Sequence, residues 1–229
     1  FLLGAAQGAL GWYMVQSGLV DDPRVSHFRL TAHLALAFAI YAAMLWIALD
    51  LLNPAAPSTS PRIGRVRRLA WVVTALVVAM VVTGGFVAGI RAGFAYNTFP
   101  LMNGHWVPPE ILLIEPWYLN FFNNMATVQF EHRVGAWLLA VAVPWLWFEA
   151  GRAGLSRGAR LLTHLLLATL AVQIALGITT LLLAVPAALG TAHQAGALAV
   201  FTAALALNHA LRAGGVTPRD RSRSEAAPG

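Results

Sequence analysis

The 229-residue chain contains no cysteine, which excludes disulfides, thiolate metal sites and cysteine nucleophiles. It also contains no lysine; its fifteen bases are all arginine, a bias that GC-rich coding explains and that carries no mechanistic weight. Acidic residues number only nine, and charged residues make up 10% of the chain, against roughly 25% in ordinary soluble domains. With 59% hydrophobic residues, a soluble fold of this size could not cover its apolar surface, and a disordered chain is excluded too. The net charge of +6 raises the question of nucleic acid. In a membrane protein, however, arginine gathers in cytoplasmic loops, so no nucleic-acid partner is expected. The first residue is Phe1 rather than Met and opens directly into an apolar run, so an upstream segment is expected and no targeting signal is legible.

What is present is a series of long apolar runs. Six are long enough to span a bilayer as helices, at about 2–20, 28–51, 69–90, 127–149, 160–184 and 190–211. They are continuous rather than alternating, which favours helices over barrel strands. The segment between the second and third, residues 53–68, holds Arg62, Arg65, Arg67 and Arg68. The one between the fourth and fifth holds Arg152, Arg157 and Arg160, and the C-terminus holds Arg212, Arg219, Arg221 and Arg223. Alternating spans put these on one side and leave Arg24, Arg29, Arg91 and Arg133 on the other. The Arg-rich loops and the C-terminus are therefore expected in the cytoplasm. The outer connection 91–126 is long and aromatic, suited to an interfacial belt or to a lid. The tail 213–229 reads as disordered.

Two helix pairs share a pattern. Gln7-Gly8-Ala9-Leu10-Gly11 aligns with Gln173-Ile174-Ala175-Leu176-Gly177, and Thr31-Ala32-His33 aligns with Thr191-Ala192-His193. The first pair therefore reads as a copy of the last. Because the last pair is preceded by two more helices, the first should be as well. The expected architecture is an all-α integral membrane protein of eight helices, six of them in this chain, arranged as two pseudo-symmetric four-helix bundles. Residues 1–52 would be the second helix pair of the N-terminal half, 53–68 a cytoplasmic loop, and 69–212 the complete C-terminal half.

Seven histidines occur. His27, His105, His164 and His209 read as interfacial or loop residues. His33, His132 and His193 each lie within about two turns of the outer end of an apolar helix, where an ionisable group is costly and suggests function. Zinc would want carboxylate or thiolate help, and only Glu131 is near. Haem iron needs one or two imidazoles from facing helices, and His132 and His193 could supply both. Gly135, Ala136, Gly190, Ala192, Ala195 and Gly196 leave room for a macrocycle, although tight helix packing explains such residues equally well. Arg133 beside His132, and Arg29 one turn before His33, suit haem propionates; interfacial snorkelling is the alternative.

Several segments together resemble haem A synthase. They are Gln129-Phe130-Glu131-His132-Arg133, Gly84-Gly85-Phe86-Val87-Ala88-Gly89 continuing through Ala92-Gly93 to Asn97-Thr98-Phe99-Pro100, Gly11-Trp12-Tyr13-Met14-Val15 with Ser17-Gly18-Leu19, and Thr191-Ala192-His193-Gln194. The resemblance runs from about Gln7 through the last helix. The lack of cysteine is closest to the branch shared by mitochondria and related bacteria. The resemblance implies an enzyme that oxidises a ring methyl of haem O to formyl, by successive hydroxylation, for cytochrome oxidase assembly. His132 and His193 would ligate a haem b cofactor, with Arg133 beside it, and His33 with Arg29 would belong to the substrate haem site. The catalytic Glu of the family belongs to a Glu-x-x-His-Arg motif upstream of Phe1, so no catalytic residue is expected in this chain. Gln129 takes the Glu position in the second copy, and Glu131, on another face, is given no catalytic role.

The partners implied are haem O, membrane lipid and an unidentified electron acceptor, with a homo-oligomer left open. The location implied is the bacterial inner membrane, with the mitochondrial inner membrane as the alternative. Two rival functions fit the same residues in part. A di-haem cytochrome b would use the same histidine pairs for electron transfer. A transporter built from repeats would show broken helices, for which Pro144 and Pro186 are the candidates.

Overall fold

In the computed structural model, which describes residues 1–17, 24–52 and 61–212, the chain is all-helical apart from one isolated bridge between Met102 and His105. The helices are α1 (Leu2–Val15), α2 (His27–Leu52), α3 (Pro61–Gly89), α4 (Asn120–Asn123), α5 (Met125–Gly151), α6 (Arg157–Leu182) and α7 (Ala187–Ala210). Two short 3-10 turns, Ala92–Phe94 and Trp117–Leu119, lie in the outer connection. The expected tail 213–229, with Arg219, Arg221 and Arg223, falls outside the described residues, as do 18–23 and 53–60.

Five of these helices, α2, α3, α5, α6 and α7, are long and apolar enough to cross a membrane. The protein is an all-α membrane protein. The sixth expected span, 2–20, differs from expectation: α1 is a 14-residue helix ending at Val15. Just past its end, Ser17 Oγ donates to Met14 O at 2.6 Å and accepts Ser26 N–H at 2.8 Å.

A second correction concerns the Arg-rich segment. Residues 61–68, expected as part of a cytoplasmic loop, form the first two turns of α3. The reason is the stripe Val66, Ala70, Val73, Val77 and Val81, all buried at helical spacing, which begins inside the arginine run. Arg62, Arg65 and Arg68 occupy the exposed remainder of those turns.

α3, α5, α6 and α7 form a four-helix bundle in which α5 and α7 each pack on both α3 and α6, so α5 and α7 stand on a diagonal. Asn124 caps α5, accepting from Ala126 N and Thr127 N, and Ser156 caps α6 through Ala159 N. α5 continues through Pro144, and Pro186 is the N-cap of α7, so neither proline breaks a span as the transporter reading requires. The bundle's main core lies in its inner half. Leu139, Val143 and Leu146 of α5 meet Leu166 and Leu170 of α6 and Val200, Phe201, Ala204 and Leu207 of α7. Asn208, buried there, donates to Thr74 Oγ1 at 2.7 Å and crosslinks α7 to α3.

α2 lies against α3 and α7 and carries α1 on its other side. Its attachment has three levels. At the outer end Thr31 abuts Gly85, in the middle Tyr41 Oη shares a 2.7 Å hydrogen bond with Thr202 Oγ1, and at the inner end Asp50 meets His209 and Arg212. His209, expected as an interfacial or loop residue, is instead buried, 3.0 Å from Asp50, with Trp46 edge-on to its ring.

Candidate functional site

His33, His132 and His193 stand six, seven and six residues after the first residues of α2, α5 and α7. At helical rise this is a common depth of about 9–10 Å below the helix starts. Each imidazole rests on a glycine of the neighbouring helix. A Cβ added to Gly177 of α6 would meet His193 Cε1 at 2.8 Å, one on Gly11 of α1 would meet His33 Cε1 at 3.0 Å, and one on Gly84 of α3 would meet His132 Cε1 at 3.3 Å. At Gly177 the ring occupies the place of a side chain, and at Gly11 a Cβ would make the ring give by a few tenths of an ångström.

The repeat extends to polar contacts. Gln7 Nε2 donates to His33 O at 3.2 Å and lies 3.3 Å from His33 Nε2. Gln173 Nε2 donates to His193 O at 2.9 Å and lies 3.4 Å from His193 Nε2. In both copies the glutamine Oε1 and the histidine Nδ1 are buried without a hydrogen-bond partner. The sequence correspondence is thus a correspondence of contacts.

His132 is held differently. Its Nδ1 shares a 2.9 Å hydrogen bond with Thr83 Oγ1, which also reaches Met80 O at 3.3 Å. With Nδ1 engaged, Nε2 is the ring nitrogen left for a metal. His132 and His193 project from the diagonal helices α5 and α7 and lie within electrostatic range of each other.

Packing around them is looser than in the inner half. On α5 no residue between Gln129 and Leu139 is fully buried, on α6 none between Leu170 and Thr180, and on α7 none before Val200. Imidazoles from two diagonal helices, in a layer with few fully buried residues, could hold a flat macrocycle between them. The donor set does not suit a structural zinc site. Among the described residues no group of three or more His, Asp or Glu converges.

The arginines are placed as follows. Arg29 Nη1 donates to Tyr13 O at 2.7 Å, and its guanidinium lies 3.6 Å from the Tyr13 ring centroid, clamping α2 to α1 one turn above His33. Arg133 staples the outer connection to α5. Its Nη2 donates to Tyr96 O, Thr98 O and Gln129 Oε1 at 3.0, 2.9 and 3.0 Å, and its Nη1 reaches Pro100 O and Leu101 O at 3.3 and 3.4 Å. Gln129, buried, accepts from Arg133 while donating to Ala92 O at 2.7 Å. A carboxylate could make only the first of these bonds, which explains an amide here. Glu131 Oε1 is buried without a partner.

Asn120 and Asn124 organise the rest of the outer connection. Asn120 is fully buried, accepts from Ile114 N at 2.9 Å, and donates to Ile114 O and Trp117 O, both at 2.7 Å. Asn124 donates to Glu110 O at 2.9 Å. Tyr96 Oη donates to Glu110 Oε2 at 2.7 Å. Burial, with the Glu110 carboxylate beside it, pushes the Tyr96 phenol up to about 12, while that hydrogen bond holds Glu110 below its ordinary value.

The signs give a pH window. Tyr96, raised on folding, stabilises the connection fully below about pH 10 and loses that contribution as pH rises toward 12. Glu110, lowered on folding, contributes above its ordinary value of 4.5 and loses its contribution as pH falls below it. Limited proteolysis within residues 91–124 should therefore be slow and flat from about pH 5 to 9 and accelerate beyond each edge. Tyr96→Phe should abolish the alkaline acceleration; an unchanged alkaline limb would mean another group controls it.

Imidazoles on glycine seats, in a bundle of membrane-length helices, define a helical membrane protein with a histidine layer between its spans. The chain belongs to the family described as cytochrome oxidase assembly protein (COX15-CtaA), whose model matches residues 1–205. It is 62% identical over 213 residues to "Heme A synthase" of Nitrosospira multiformis, covering 93% of this chain and 60% of that protein. It is 56% identical over 207 residues to the protein of the same name in Nitrosomonas eutropha, and 43% over 222 residues to "Heme A synthase COX15" of Arabidopsis thaliana. These cover 90% and 93% of this chain, and 58% and 49% of those proteins. The chain thus spans about three-fifths or less of the length of these relatives. No solved structure matches it.

Proposed function

We propose that the full-length protein is a haem A synthase, oxidising a ring methyl of haem O to formyl by successive hydroxylation for cytochrome oxidase assembly. In this proposal α3, α5, α6 and α7 form the half that holds a haem b cofactor through His132 and His193. α1 and α2 supply part of the substrate haem site through His33, with Arg29 nearby. The observation that carries it is the diagonal placement of His132 and His193 in the loosely packed outer half of the bundle, repeated in form by His33 on Gly11. The printed names of the relatives supply the product, haem A, and the resemblance of the motifs supplies haem O as its precursor.

A haem held by His132 and His193 would supply reversible one-electron transfer. The chain's own contributions are structural and electrostatic. Thr83 orients the His132 ring, Gln173 holds the α7 backbone at His193, and Gly84 and Gly177 set the ring positions. Arg133 retains a buried Nε without a partner, so it can serve an anionic haem edge only through that nitrogen or by releasing loop carbonyls. Its function as a staple is then the primary one, and propionate pairing is secondary.

The repeat supports an eight-helix architecture of two pseudo-symmetric halves, with α1–α2 equivalent to α6–α7. It also supports a catalytic carboxylate on the half opposite the one containing Gln129. The arginine distribution supports a bacterial inner membrane location with the C-terminus in the cytoplasm. The electron acceptor is left unassigned.

The test is haem extraction and mass analysis of the full-length protein from cells that also make haem O. Haem B together with haem O, its hydroxylated forms or haem A is the expected result. Haem B alone would favour a di-haem electron carrier, and no haem at all would overturn the site.

A further inference from the structure

At the inner end of the α5–α6 hairpin lies a cleft of about 340 Å³, remote from the histidine layer, between the last turns of α5 and the first turns of α6. Arg152, Arg160 and His164 line it, and no carboxylate does. Arg152 is held in place because its guanidinium lies 3.9 Å from the Phe148 ring centroid. Arg160 makes one long contact, 3.5 Å to Leu155 O, and keeps most of its donors for another partner. Trp147 Nε1–H donates to His164 Nδ1 at 2.9 Å, so the neutral imidazole carries its proton on Nε2 as a further donor. Two guanidiniums and an imidazole N–H line one space without a carboxylate, a donor set suited to an anion with several acceptor oxygens.

The surroundings narrow the choice of anion. Leu161 and Leu165 stand one turn apart on α6, 58% and 44% exposed, and continue from the cleft toward the middle of the span. Trp147 and Phe148 are exposed on the α5 side. By the arginine distribution this end of the bundle faces the cytoplasmic leaflet. A free anion would use the polar half of this site and leave the apolar half without a role. A lipid uses both.

We propose that the cleft binds the phosphate-bearing headgroup of an anionic phospholipid of the inner leaflet, with an acyl chain along Leu161 and Leu165. Arg152 and Arg160 take the phosphate, and His164 Nε2–H takes a remaining headgroup oxygen. The lipid then bridges α5 and α6 at the end of the bundle that the buried inner core already joins.

The test uses the delipidated full-length protein in detergent, with thermal protection titrated by phosphatidylglycerol, phosphatidylcholine or inorganic phosphate. Native mass spectrometry counts retained lipid. The variants are Arg152→Gln/Arg160→Gln, the single Arg160→Gln, and a control of equal charge loss, Arg67→Gln/Arg68→Gln on α3. The cleft double variant should lose about tenfold in apparent phosphatidylglycerol affinity, with the single variant between it and wild type and the control near wild type. Phosphatidylcholine and inorganic phosphate should protect little. Equal losses in cleft and control variants would mean diffuse surface charge and overturn the proposal. Protection by inorganic phosphate equal to that by phosphatidylglycerol would overturn the lipid assignment, and so would unchanged affinity in the cleft variants. Each variant's unfolding temperature in phosphatidylcholine checks its fold, and all these arms read out independently of haem content.

Discussion

Replacing His193 with alanine in the full-length protein is expected to reduce extractable haem B by about tenfold or more and to abolish a low-spin, six-coordinate spectrum. The same loss is expected for His132→Ala. The two imidazoles come from the diagonal helices α5 and α7, so neither has a substitute on its own side of the bundle. His164 is engaged with Trp147 at the inner end, and His209 with Asp50, so neither can stand in. The double variant should be scarcely worse than either single one, because two ligands of one iron act as a unit. The fold should survive. The main core consists of the Val66 to Val77 stripe of α3 with partners such as Leu146, Leu166 and Leu207, and none of them belongs to the histidine layer. His33→Ala supplies the complementary result: haem B retained, haem O and its products reduced. A low-spin haem B spectrum that survives either His132→Ala or His193→Ala would remove the assignment. Loss of haem B in His33→Ala alone would exchange the roles of the two halves.

Much of this arrangement was legible in the residues. A hydropathy run reports the cost of placing side chains in lipid, and α2, α5, α6 and α7 begin and end close to where such runs do. The Gln–Gly–His correspondence was legible because the contact it encodes is made within each helix pair. Gln7 reaches only to His33 of the next helix, and Gln173 only to His193. What stayed hidden depends on partners distant in sequence, or on physics other than transfer into lipid. The first turns of α3 contain arginine and so fail a hydropathy test, yet Val66 is buried there by packing in the bundle. Arg133 reads as an interfacial cation until its carbonyl partners at Tyr96, Thr98, Pro100 and Leu101 are in place. His209 reads as peripheral because Asp50 lies 159 residues away.

The glycine seats yield the second large effect, and the three distances rank it. In an exposed helix interior, Gly→Ala would stabilise by about 1 kcal/mol through propensity. Against that gain, a Cβ at Gly177 would come within 2.8 Å of His193 Cε1, closer than side chains tolerate, and overpacking of this kind costs typically 1–3 kcal/mol. The strain cannot be absorbed by the α6 backbone without moving the Gln173 bond to His193 O, so the imidazole must swing. Gly177→Ala should therefore lower haem B occupancy severalfold and shift its spectrum, and Gly177→Val should approach His193→Ala. Gly84→Ala meets His132 at 3.3 Å, a distance closed by a few tenths of an ångström of ring motion, so propensity and packing nearly cancel there. Its effect on haem B should be slight. Gly11→Val, at 3.0 Å from His33, should leave haem B in place and reduce bound haem O. A ranking of Gly177 above Gly84 on haem B, with Gly11 acting on the other haem, would establish that the seats position individual ligands. Equal effects at Gly177, Gly84 and Gly11 would instead mean that these glycines serve only close helix packing, with the histidines passive neighbours.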